Sequence, residues 1–244
     1  MSSAPVACAG PGRLAFAMTT AADETYEPER AGRLLRTERD ALIPLLRSAP
    51  DEAFAVRTCC PGWTVRHVLA HCGSALMRVV ESRYGEGVFS PESNERDIAE
   101  RADWPNSRVV DELERGMSEV GPIMAAAKGR LDGIALGEWV HAGDVREAWG
   151  KPGAYGGDGL VDALPLLAQH SRSPFSAATP GLAVHADVDG LDEPLVLGAT
   201  DGRRPPARYI GDAPTLIRLC SGRPLTGTRY ELAGAAEKEL GLFD

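Results

Sequence analysis

A change of hydrophobic period near residue 175 constrains this chain more than any other feature of it. Before that point apolar residues recur at helical spacing, as in Leu34, Leu35, Leu42, Leu45 and Leu46. Beyond it, Leu182–Val188 and Leu195–Leu197 alternate loosely with a period of two. The 244 residues are enough for one large domain or two small ones. They divide near 175–180 into a helical bundle followed by a small unit that mixes strands and helices, which is an α+β chain.

The helical part is predicted to hold five segments. The first runs from Glu27 to Ser48, with a kink or break expected at Pro44. The second runs from Val65 to Tyr84, with Thr64 as its N-cap after the Pro61-Gly62 turn. An irregular stretch from Gly85 to Asn106 follows and is placed over a site. A third helix, Ser107 to Arg130, is interrupted near Gly121-Pro122. The fourth, Leu136 to Trp149, stops at Gly150 ahead of Pro152, and the fifth spans Leu160 to His170. In the second part Arg208–Ile210 is a third short strand. Asp212 or Thr215 caps a helix through Cys220, and a last helix is expected over Glu231–Leu240.

The formal charge of −9 disfavours a nucleic-acid partner, which needs a basic face, but allows a local basic pocket for a small anion. No apolar run approaches the ~20 residues of a membrane span, and Leu14–Met18 is too short for a signal-peptide core. Met18 is an alternative start, and residues 1–25 read as a flexible tail. The five cysteines, Cys8, Cys59, Cys60, Cys72 and Cys220, form no regular framework, which points to a reducing, cytoplasmic setting. The adjacent pair Cys59-Cys60 reads as two free thiols near a turn.

Two predicted helices carry chemistry-bearing stripes. His67 and His71 lie four apart on the second helix; Glu138, His141 and Asp144 lie three apart in series on the fourth. Helical bundles build metal sites from such facing imidazoles and carboxylates, although a core histidine bonded to a neighbour is the commoner use of one. His67 reads as a solvated first-turn residue, His170 as a helix-end cation suited to the dipole, and His185 as an unpaired strand residue. GxGxxG, GxxxxGK[ST], GxSxG and HExxH motifs are all absent, so nucleotide binding and serine hydrolysis lack support.

Three runs resemble the mycothiol-dependent maleylpyruvate isomerase family: Gly62-Trp63-Thr64-Val65-Arg66-His67-Val68-Leu69-Ala70-His71, then Trp139-Val140-His141-Ala142-Gly143-Asp144-Val145-Arg146, then Gly211 to Arg223. They cover both proposed domains in order over about 160 residues. The resemblance implies an N-terminal DinB-like four-helix bundle over 26–175, a small C-terminal α/β domain over 176–244, and a divalent metal, usually zinc, between them. It implies His71 and His141 as two ligands, with a Glu four residues before the second as the third. Position 137 is Gly here and Glu138 lies three before, so either Glu138 or Asp144 takes the role, or the site is lost. It further implies mycothiol as the sulfur donor, Arg223 in the active site, and Arg218 and Arg223 as groups that hold the thiol; by itself Arg223 also reads as a turn arginine. The expected activity is that of a metal- and mycothiol-dependent transferase or isomerase on a small electrophile. A non-catalytic binder on the same fold and a thiol-independent hydrolase are the alternatives, and the oligomeric state is left open.

Overall fold

A computed structural model describes residues 26–84 and 90–243. The tail at 1–25 with Cys8, Met18 and Leu14–Met18, and residues 85–89 of the expected irregular stretch, lie outside the described residues.

Among the described residues seven α-helices precede the strands: α1 (Arg30–Ser48), α2 (Val65–Val80), α3 (Pro91–Glu100), α4 (Asn106–Glu119), α5 (Gly121–Ala126), α6 (Asp132–Ala148) and α7 (Leu160–His170). Helices α1, α2, α4 and α6 pack around a core of Leu34, Leu35, Val68, Leu76, Leu113, Leu136 and Trp139, all essentially removed from water. Thr64 begins α2 as a capping box: its hydroxyl accepts from the His67 backbone N–H, and the His67 ring accepts from the Thr64 N–H. His67 is therefore a capping residue. Pro44 does not break α1; the helix runs on to Ser48, held by the buried Ile43 and Leu46 on either side of the proline.

Helix α3 replaces the irregular stretch expected over much of Gly85–Asn106. Ser90 caps it, accepting from the Ser93 N–H at 3.2 Å, and Pro91 opens it. Its inward face is polar. Asp97 is buried in an ion pair with Arg78, and Arg101 is held by Glu112 of α4 at 2.5 and 2.8 Å. A helix docked through ion pairs shows no apolar stripe, which is why hydrophobic periodicity does not reveal it.

The second unit is a four-stranded sheet of order β2-β1-β3-β4, made of β1 (Ala183–Val188), β2 (Leu195–Gly198), β3 (Ala207–Gly211) and β4 (Tyr230–Ala233), with α8 (Ala213–Cys220) after β3. β1 pairs parallel to β3, and the two edge pairs are antiparallel. Asp212 caps α8 through the Thr215 N–H at 2.7 Å. The helix expected over Glu231–Leu240 is instead β4 followed by a 3₁₀ turn, Glu237–Leu240. Gly234 separates them at φ +80°, and Tyr230 stacks on Tyr209 across the sheet, a pairing that a helix would remove. The Gly198 N–H donates to the buried Ser171 hydroxyl at 2.7 Å, which fastens β2 to the end of α7. Among the described residues no helix is long and apolar enough to cross a membrane.

Candidate active site

A cleft of about 800 Å³ opens where α2, α6, the turn before α2 and the loop after α8 meet. His71, Glu138, His141 and Arg223 all line it, together with Cys59, Cys60 and Trp63. Helix α2 delivers His71 and helix α6 delivers His141, their ring centroids 5.2 Å apart and nearly perpendicular. Trp63 closes over both rings, 5.1 Å from His71 and 6.2 Å from His141, and its indole N–H donates to Glu95 of α3 at 2.9 Å.

The two histidines are held differently. Burial, and the neighbouring His141, push His71 down to about 3, so its ring is neutral at physiological pH. Its Nδ1 is buried without a partner. His141 Nδ1 lies 2.9 Å from Asp144 Oδ2. Burial would raise the Asp144 carboxyl, but hydrogen bonds from His141 and Arg223 outweigh it and hold the group well below the usual carboxylate range. Beside an ionised acceptor Nδ1 carries a proton, which leaves Nε2 as the ring atom turned to any metal.

Asp144 is the hub of the site and has no exposed surface. Arg223 donates to it from Nε at 2.9 Å and from a terminal nitrogen at 2.7 Å, and the Tyr155 hydroxyl donates at 2.7 Å. The Cys59 and Cys60 thiols each approach one of its oxygens at 3.2 Å. These three groups, Cys59, Cys60 and Asp144, also form the one set of clustered metal-type donors among the described residues. Two guanidinium bonds to the same carboxylate make that cluster a poor cation site, since a cation there would face Arg223. Asp144 instead holds the His141 ring at Nδ1.

Glu138 lines the cleft, but its carboxylate is turned into the bundle against Cys72. Its Oε2 is buried and unpartnered, and burial pushes the group up to about 8. Arg218 does not reach the cleft: it pairs with Glu147 at 2.6 Å and lies over the Tyr155 ring. His170, expected as a helix-end cation, is buried, stacked on Phe243 at 5.2 Å, and lowered by burial. His185 is exposed.

Tyr155 is the site residue that sequence reading misses. It lies in a Gly-rich loop and reaches Asp144 because Gly143 carries no side chain; a Cβ there would meet the Tyr155 ring at 2.5 Å. A lone aromatic among glycines, Gly153-Ala154-Tyr155-Gly156-Gly157, is the one signal that could have marked it.

Two neutral imidazoles on one zinc, at Zn–N of about 2.0–2.1 Å and near-tetrahedral angles, have ring centroids about 5 Å apart. The observed spacing and the unpartnered His71 nitrogen fit such an ion.

Fold and site together define a DinB-like helical-bundle protein with an imidazole pair in a cleft under a small α/β unit. Residues 35–149 match the family model of the mycothiol maleylpyruvate isomerase N-terminal domain. Two crystal structures resemble the molecule at large. One is a histidine-to-alanine mutant of the mycothiol-dependent maleylpyruvate isomerase, with TM-score 0.59 and 18% identity over 86% of this chain and 95% of that one. The other is the mycothiol-dependent maleylpyruvate isomerase itself, with TM-score 0.54 at the same identity and coverage. At that identity the likeness is one of fold. No curated protein matches the chain in sequence.

Proposed function

We propose that this chain is a metal-dependent transferase or cis–trans isomerase that uses mycothiol and acts on a small electrophile. The observation that carries the reading is the pair of nearly perpendicular imidazoles 5.2 Å apart in a cleft large enough for a thiol and a substrate together. His71 and His141 are the proposed zinc ligands. A zinc ion there would hold a bound thiol as its thiolate at neutral pH.

The chain's own residues supply the rest. Asp144 fixes the His141 tautomer, and Arg223 keeps Asp144 ionised. Trp63 packs over the imidazole pair. Four of the five guanidinium N–H groups of Arg223 have partners: two go to Asp144, one to the Ser221 carbonyl and one, at 3.9 Å, to the Cys60 sulfur. One remains to hold a carboxylate on the substrate or on the thiol. The nucleophilic sulfur comes from mycothiol, so neither Cys59 nor Cys60 is needed for turnover.

A second reading, a non-catalytic binder with a degraded metal site, draws support from Gly137, which places no carboxylate one turn before His141. Metal analysis of the purified protein, repeated on His71→Ala and His141→Ala, tests the first reading. About one zinc-like ion in the wild type and loss in each folded variant support it, as does thermal stabilisation by mycothiol; full occupancy in a variant removes that residue as a ligand.

A further inference from the structure

We propose that the floor of the cleft at Gly137 is a binding site for a small carboxylate, which completes the metal's protein ligands from outside the chain. The proposal rests on the metal reading above.

Residues four apart on a helix share a face, so position 137 lies one turn before His141 and on its side of α6. Gly137 lines the cleft, and a Cβ built on it meets no atom within 4 Å. This contrasts with Gly143 and Gly133 on the same helix, where a Cβ would strike Tyr155 at 2.5 Å and His170 at 2.6 Å. Those two glycines make room for packed neighbours; Gly137 leaves open space beside the imidazole pair.

The nearest carboxylate of the chain does not fill that space. Glu138 is one residue on, about 100° further round the helix. Its carboxylate sits against Cys72 with Oε2 buried and unpartnered. The donor atoms of His71, His141 and Glu138 do not gather within 4.8 Å of one another, whereas those of Cys59, Cys60 and Asp144 do. Asp144 is already taken up by Arg223 and Tyr155. A divalent ion on two neutral imidazoles keeps its full charge, and three protein ligands is the usual complement of a catalytic zinc. A small anion suits the open space at Gly137 by charge, and no atom within 4 Å of a Cβ there stands in its way. The chemical class is a small mono- or dicarboxylate, and Arg223, with one N–H group left without a partner, lines the same cleft. The site would thus gain metal affinity only when its carboxylate partner is present, which ties metal retention to ligand binding.

The test uses the full chain and acetate as the probe. Zinc affinity is measured by competition with a chromophoric chelator in chloride buffer, with and without acetate, and the cobalt-substituted protein is followed by its visible spectrum. Acetate is expected to tighten zinc and to shift the cobalt bands in the wild type. Gly137→Glu, which supplies the carboxylate internally, is expected to bind zinc at least ~10-fold more tightly than wild type and to lose the acetate response. Gly137→Gln adds the same bulk and helix preference without charge and should not tighten zinc. The proposal is overturned if acetate changes neither affinity nor spectrum, or if Glu138→Gln weakens zinc as much as His141→Ala does. A thiolate-to-cobalt charge-transfer band also overturns it, because it would place Cys59 or Cys60 on the metal. If neither wild type nor Gly137→Glu binds zinc, the metal reading itself fails, and the carboxylate site with it.

Discussion

Replacing Arg223 by Met gives the sharpest stability test of the site. Asp144 is fully buried, and its carboxylate takes two of its hydrogen bonds from Arg223, whose side chain is 18% exposed. Met keeps the apolar volume and removes both bonds and the charge. Breaking a buried ion pair from one side costs about 3–5 kcal/mol, because the remaining charge is left uncompensated. Tyr155 and His141 still serve the carboxylate, so the lower end, about 3 kcal/mol, applies. For a chain of this size about 1 kcal/mol moves Tm by roughly 2–4 °C, so a fall of roughly 6–12 °C is expected. Thermal melts followed by circular dichroism in the presence of a chelator read it without interference from metal binding. The sign of the pH dependence is set by the depressed Asp144 carboxyl. Its contribution is present above the ordinary aspartate range and is lost only as pH falls through the much lower folded value. In Arg223→Met the folded value rises, so acid unfolding should move to higher pH. Arg223→Lys restores charge without the fork and should recover part of the loss. A Met variant that melts within about 1 °C of wild type, with an unchanged acid limb, would refute the buried-pair reasoning.

Gly143→Ala should displace Tyr155 from Asp144 and lower both stability and mycothiol binding, read by thermal melts and calorimetry; an unperturbed Tyr155 in the variant's structure would contradict the close contact. Cys59→Ser/Cys60→Ser should retain turnover in a mycothiol-dependent assay, and loss of turnover in the folded variant would point to an internal thiol. Glu138→Gln should stabilise the metal-free protein increasingly from pH about 4.5 to about 8, because burial raises the folded carboxyl to about 8 and ionising it above its unfolded value costs stability over that window; denaturant melts across that range measure it, and a pH-independent difference would speak against the buried carboxyl.

The sequence shows the helices whose apolar stripes face the core. Leu34 with Leu35, and Val68 with Leu76, mark α1 and α2, and the period-two runs mark the first two strands. It also brings His71 and His141 together, since each sits on a patterned helix. Three features escape it for physical reasons. Helix α3 docks through Asp97–Arg78 and Arg101–Glu112, so charge hides its inner face. Strand β4 competes with helix-favouring Glu231 and Leu232 and wins through the Tyr230–Tyr209 stack, a contact between residues far apart in the chain. Asp144 lies beside His141 in sequence, but its counter-charge and its Tyr155 partner come from loops with no periodicity.

That last arrangement bears on how the chain can be taken apart. The stretch that matches the family model ends at residue 149, yet the cation that neutralises its most deeply buried charge is supplied 79 positions beyond Asp144. A boundary drawn by sequence likeness therefore cuts through one electrostatic unit. Grafting this bundle onto another C-terminal partner would bring along an uncompensated carboxylate unless the new partner offers a guanidinium at the same place. Modularity in this protein is limited by a single shared charge.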